Sequence, residues 1–336
     1  MRKILLLTVF VLSFITSSAQ STFTSNLAAR AKGNANIYGV VECDGKPVEG
    51  VAVSDGYTIV LTDRKGQYCF RSAKRNGNVF ITIPSGYEAV RDGDDVVPQF
   101  WAELCCDIDS TERHDFALKA VDNDRHVIVA VADIHIANHH NDMSNFRDIF
   151  IPKLNKELEK YHNAGIPAYT FCLGDSTHDL YWYDYLYDIG DFRSTLEEIR
   201  YPTPLFNTLG NHDHDGSTPC DENTDFNAAA KYRKAFGPTY YSVNIGKIHY
   251  IMLDNMKYVN TPGGKIAKGI VGTRNCKTEL SAEQLEWLKK DLELVTDKNT
   301  PIVIGVHSPI YRYRNGMDGE INNALSEPIP STFSKS

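Results

Sequence analysis

Four short strand-like runs in the second part of the chain constrain its fold more than any other feature. They are His126–Ala132 (HVIVAVA), Tyr169–Leu173, Thr203–Leu209 and Ile302–Val306. Apolar, β-branched runs of this kind predict strands buried on both faces, as in sheets covered by helices. Helical patterns lie between them. Met143, Phe146, Phe150, Leu154, Leu158 and Tyr161 recur every three or four residues and predict an amphipathic helix that kinks or restarts near Pro152. Leu180–Arg200 reads as helical in part. Tyr240–Ile245 and Lys247–Leu253 read as a hairpin turning at Gly246. Ser281 and Gln284 predict a capping box, Leu280 and Leu285 a staple, and Leu285, Leu288 and Leu292 an apolar stripe. Strands alternating with helices predict an α/β layer architecture.

The chain ahead of these runs is different. Residues 34–119 carry short strand-like segments separated by Asp44-Gly45, Asp55-Gly56 and Asn76-Gly77, which predicts a small all-β sandwich of hairpins. Its carboxylates, Asp55, Asp63, Asp92, Asp94 and Asp95, are read as turn formers rather than as a calcium site. Lys119–Arg125 is a polar joint. Further upstream, Arg2 and Lys3 precede the apolar stretch Ile4–Ile15 and the small residues Ser17-Ser18-Ala19. That order predicts a signal peptide, residues 1–19, removed before Gln20, and an exported protein, periplasmic or secreted. A dozen apolar residues are too few for a comfortable membrane span, so no span is expected in the mature chain. The 336 residues suit about two domains. A net charge of −8, from 35 basic and 43 acidic residues, gives no general attraction to nucleic acid. Seven cysteines without a C-x-x-C pair argue against a thiolate zinc site.

Polar clusters end each of the four runs. Asp133-Ile134-His135 follows the first and Gly174-Asp175 the second, with Asp179 four residues on. Gly210-Asn211-His212-Asp213 follows the third, and His307 the fourth. In an open α/β sheet the carboxyl ends of the strands open onto one crevice, so residues 133 to 307 are expected to converge. Carboxylate, imidazole and amide donors without thiolate suit Mn, Fe or Zn. Close carboxylates need a cation between them, or one must hold a proton. Each motif alone is commonplace; four in order, each at a strand end, are not.

This set resembles the calcineurin-like metallophosphoesterase family, with its pattern D-x-H, G-D, G-N-H-D/E, H and G-H-x-H. The sandwich is similar to the domain that precedes such catalytic domains in secreted bacterial proteins. The resemblance implies a layered αββα catalytic domain over residues 126–336. It implies two divalent metal ions, held by Asp133 and His135 on one side and Asn211 and His307 on the other, with Asp175 bridging. It also implies His212 as the catalytic histidine that protonates the leaving alkoxide, oriented by Asp213, and a metal-activated water as nucleophile. The expected partner is a small-molecule phosphoester. The closing G-H-x-H has no counterpart after His307. The catalytic domain is therefore expected to be incomplete at its C-terminus, and the alternative is a truncated, impaired relative that binds without turnover. His139, His140, His178 and His214 are read as exposed loop histidines, with His178 and His214 the better supporting candidates. The aromatic cluster Tyr181, Trp182, Tyr183, Tyr185 and Tyr187 reads equally as substrate wall or core.

Overall fold

The computed structural model describes residues 35–312, except 94, 106 and 264–267, together with 322–323. The predicted signal peptide lies outside the described residues. Strand Ile37–Cys43 pairs with Lys46–Pro47 across Asp44 and Gly45, whose φ angles are 51° and 73°. Positive φ at both central residues is what a two-residue hairpin matching the strand twist requires. Ile37–Cys43 also pairs with Gln67–Phe70, Glu112–Arg113 and Phe116–Ala120 in a six-stranded sheet. Ile59–Leu61, Ala52–Ser54, Asn78–Ile81 and Trp101–Glu103 form a four-stranded second sheet, giving the expected β-sandwich. Asp55 accepts from the N–H groups of Tyr57 and Thr58, and Asp63 from those of Lys65 and Gln67. These are turn carboxylates, as read.

The sandwich carries its own cation. The Lys74 side chain is 1% exposed, and its Nζ donates to Asp107 O at 2.6 Å, Ser110 O at 2.9 Å and Ser110 Oγ at 2.7 Å while pairing with Glu112. The ammonium holds the 105–112 loop together. Lys74→Met is expected to lower unfolding stability by about 3 kcal/mol, because it removes the ammonium from the half-buried Glu112 carboxylate and the donor from the Ser110 carbonyl. A urea titration of both proteins checks this, and a loss below ~1 kcal/mol would show that the loop repacks.

The second part contains eight strands relevant here: β1 (Val127–Val131), β2 (Ala168–Cys172), β3 (Leu205–Asn207), β4 (Tyr241–Ile245), β5 (Ile248–Met252), β6 (Met256–Tyr258), β7 (Cys276–Thr278) and β8 (Ile302–Gly305). One sheet runs β1-β2-β3, all parallel; a second runs β4-β5-β8. The strand period of two decides what each sheet faces. Phe171 of β2 meets Tyr250 of β5 at 5.0 Å between ring centroids, so these faces pack on each other. His249, next to Tyr250, points the other way and bonds Asp291 of the Ala282–Glu293 helix at 2.8 Å. Leu154 and Leu158 of the Ile151–Asn163 helix pack with Cys172 and Leu205 on the outer face of the first sheet. The result is helix, sheet, sheet, helix, the expected αββα layering.

The sandwich is joined to these layers. Phe100 contacts Phe206 and Tyr241, and Asn244 N donates to Ile83 O. Trp287 Nε1 donates to Ser54 Oγ at 3.2 Å, and Arg193 pairs with Asp95.

Three local expectations need correction. The first and fourth runs are not buried on both faces. In β8, Ile302, Val303 and Ile304 are 43–45% exposed, and in β1 Ala130 is exposed. Each strand is outermost in its sheet among the described residues, and an apolar run does not encode its place in the sheet order. The capping box is half made: Ser281 Oγ accepts from Gln284 N, but the Gln284 side chain bonds both backbone groups of Asp254. The helical stripe restarts at Pro152 as expected, but the segment before it, Asn145–Phe150, is a π-helix.

Candidate metal centre

The loops after β1 and β2 are zipped together by their backbones. Asp133 N donates to Gly174 O, His135 N to Asp175 O and Ile136 N to Ser176 O, at 3.0–3.2 Å. In this arrangement Asp133, His135 and Asp175 all adopt left-handed backbone, with φ of 53°, 48° and 52°. Such conformations are costly for residues with a Cβ and persist where the surroundings enforce them, most often at functional sites. The two motif glycines allow the loops to meet. A Cβ on Gly174 would lie 2.7 Å from His307 Nδ1 and 2.8 Å from Gly210 Cα. One on Gly210 would lie 2.1 Å from Asp175 N. Both clashes involve groups that cannot move aside, so glycine is required for the strand ends to converge.

Asp175 sits at the centre and is 2% exposed. Its Oδ1 accepts from His212 N at 2.8 Å. Its Oδ2 lies 3.6 Å from His135 Nε2 and 3.4 Å from His307 Nε2. Burial pushes its carboxyl up, but the hydrogen bond from His307, the N–H of His212 and the charges of the His307 and His212 rings outweigh that and hold it below the usual range. Burial pushes His307 down, yet its bond to Asp175 and the Asp175 charge raise it to about 9. His307 Nδ1 faces Leu173 O at 2.9 Å, which turns Nε2 toward Asp175 and places it 3.0 Å from Asn211 Oδ1. Asp133 lies 3.7 Å from His135 Nε2 through its Oδ1.

Of the five residues expected to hold metal, the other four therefore gather around the Asp175 carboxylate. Single donor atoms of Asp133, Asp175 and His307 all lie within 4.8 Å of one another. The set fits divalent cations. Carboxylate, imidazole and amide donors converge there, and His135 Nδ1 is buried without a hydrogen-bond partner among the described residues.

His212 is placed beside this set. Its Nδ1 bonds Asp179 Oδ1 at 2.8 Å, and Arg274 grips both oxygens of Asp179 while also touching His212 Nδ1. Burial raises the Asp179 carboxyl, but bonds from His212 and Arg274 lower it overall. Asp213 lies elsewhere. Its oxygens accept from Thr177 N at 3.2 Å and Gly210 N at 3.0 Å, and burial raises its carboxyl to about 7. It braces the turn that carries His212, while the carboxylate on the ring is Asp179. The sequence marked Asp179 by its spacing but gave it no role. Arg274 carries no motif at all; it arrives from the loop between β6 and β7, 62 residues from His212.

The other histidines divide. His178 lies tilted against His212 with centroids 3.9 Å apart, and burial with the His212 charge lowers it to about 4. His214 is fully buried against Tyr258, so it is not an exposed loop residue. His139 stacks on Tyr181, and His140 lies against His139.

A crevice of oxygen and imidazole donors at the strand ends of a two-sheet α/β layer places the chain among proteins built to hold divalent metal. Comparison with known families makes this specific. Residues 126–328 match the calcineurin-like phosphoesterase family, and residues 35–121 match the N-terminal domain of calcineurin-like phosphoesterases. The chain belongs to the calcineurin-like phosphoesterase family, whose general chemistry is metal-dependent phosphoester hydrolysis. No curated protein is similar enough to be matched to it. Among the described residues no helix is long and apolar enough to cross a membrane.

Proposed function

We propose that this chain hydrolyses a small-molecule phosphoester at a two-cation centre held by Asp133, His135, Asp175, Asn211 and His307. The convergence of the other four residues on the Asp175 carboxylate, all five coming from four strand ends, carries the reading. Two divalent cations bound there would neutralise charge on the ester and lower the pKa of a water. The protein's own residues supply the rest. His212 donates a proton from Nε2 to the departing alkoxide, because Asp179 occupies Nδ1 and leaves Nε2 to face the substrate. Asp179 and Arg274 position that ring. Asp213 fixes the turn on which it stands. The Met1–Ala19 segment supports export, with a mature chain starting at Gln20.

The test is a metal titration of the purified full chain, read by elemental analysis and by turnover of phosphoesters. About two Mn, Fe or Zn ions per chain are expected, and a strong chelator should abolish turnover. Uptake should strengthen as pH rises from 6 toward 9. His307 holds its proton up to about pH 9 through Asp175, and a metal ligand must shed it, so low pH favours the proton and high pH the metal. Chelator-resistant turnover would sink the proposal. A folded, metal-loaded chain that turns over no phosphoester would leave a binding module instead.

A further inference from the structure

A cavity of about 770 Å³ opens from the metal centre along the edge of β1. His135 and His178 form its inner end. Beyond them its walls include Ile134, Ile136, Phe146, Phe150 and Tyr181. The rings form a continuous file from the catalytic histidine outward. His178 lies 3.9 Å from His212, Tyr181 is stacked 4.6 Å from His178, and His139 is stacked 4.7 Å from Tyr181. No lysine or arginine is among the lining residues. Asp142 supplies a carboxylate, and it lies 3.8 Å from His139.

We infer that this cavity receives the alcohol part of the substrate, and that this part is an aryl or hydrocarbon group without negative charge. The inference rests on the proposed hydrolase reading and narrows its substrate. A group leaving from a phosphorus held beside Asp175 and His212 meets His178 first and then the apolar wall. A second phosphate or a carboxylate there would lose water without gaining a cation. An apolar group loses little and buries surface against Phe150, Ile134 and Tyr181. The cavity is within the size range that encloses most of a ligand of this kind. The aromatic cluster after Asp175 is thereby divided: Tyr181 lines the cavity, while Trp182 and Tyr187 are core.

The test compares 2-phenylethyl phosphate with ethyl phosphate on the metal-loaded full chain. Their leaving alcohols are similarly basic, so a difference in kcat/KM reports the cavity rather than the chemistry. A preference of at least about tenfold for the phenylethyl ester is expected. Phe150→Asp should bring the ratio to about one, and the ratio is insensitive to partial unfolding. Equal rates, or a preference for propanediol bisphosphate, would overturn the inference while leaving the hydrolase reading intact. Binding of 2-phenylethylphosphonate against ethylphosphonate is measured in parallel by calorimetry. If no ester is hydrolysed, the hydrolase reading fails, and the phosphonates still decide: tighter phenylethyl binding that Phe150→Asp removes supports the cavity assignment, and equal affinities overturn it.

Discussion

Asp175→Asn is expected to lower kcat/KM for phosphoesters by about a thousandfold and to leave the purified protein short of metal. The figure corresponds to ~4 kcal/mol of lost charge stabilisation in the transition state. The substitution is a clean probe for three reasons. Asparagine has nearly the shape of aspartate. It is among the few residues that tolerate a φ of 52°. Its Oδ1 can still accept from His212 N, the bond that ties the third strand end to the second. Only the negative charge disappears, and two imidazoles, those of His135 and His307, face it. Elemental analysis and steady-state kinetics, with a melting curve as control for folding, check the expectation. A variant that keeps full metal and turns over at near the parent rate would remove Asp175 from the centre of the site.

The residues around Asp175 were legible because each stands at the end of a strand that its own neighbours specify. Asp133 and His135 follow HVIVAVA directly, and Gly174 and Gly210 mark the backbone approaches that bring Asp175 and Asn211 together. What was not legible depends on distance along the chain. Asp213 is adjacent to His212 in sequence, but in the Asn211–Asp213 helical turn its side chain accepts from Gly210 N and Thr177 N instead of the His212 ring. Asp179 reaches His212 only because the chain after Asp175 turns back into the short Asp179–Trp182 helix. Arg274 is brought in by a connection between β6 and β7 that has no periodic pattern. The burial of β8 failed for a related reason. Ile302–Gly305 has the residues of a central strand, but it is outermost in its sheet among the described residues, and sheet order is not written in the run itself.

His212→Asn, with Asp175 intact, should separate proton transfer from metal binding. Metal content is expected to stay at the parent level. For ethyl phosphate kcat should fall about a thousandfold, within the range general acid catalysis supplies. For p-nitrophenyl phosphate the fall should be about tenfold or less, because that leaving group departs without a proton. The contrast follows from the geometry. Nδ1 is committed to Asp179, so the ring has one nitrogen for the substrate, and losing it matters in proportion to how much the leaving oxygen needs a proton. Asp179→Asn should show the same leaving-group contrast at smaller amplitude, since Asp179 acts through His212 and touches no reacting atom. It also leaves Arg274 without the two oxygens it grips, so a melting curve must accompany it. If His212→Asn slowed both esters equally, the ring would be stabilising charge on the phosphorus rather than protonating the alkoxide. The Asp179–His212 pair would then be an electrostatic clamp, and departure of the alkoxide would need a proton from elsewhere or charge neutralisation by bound metal.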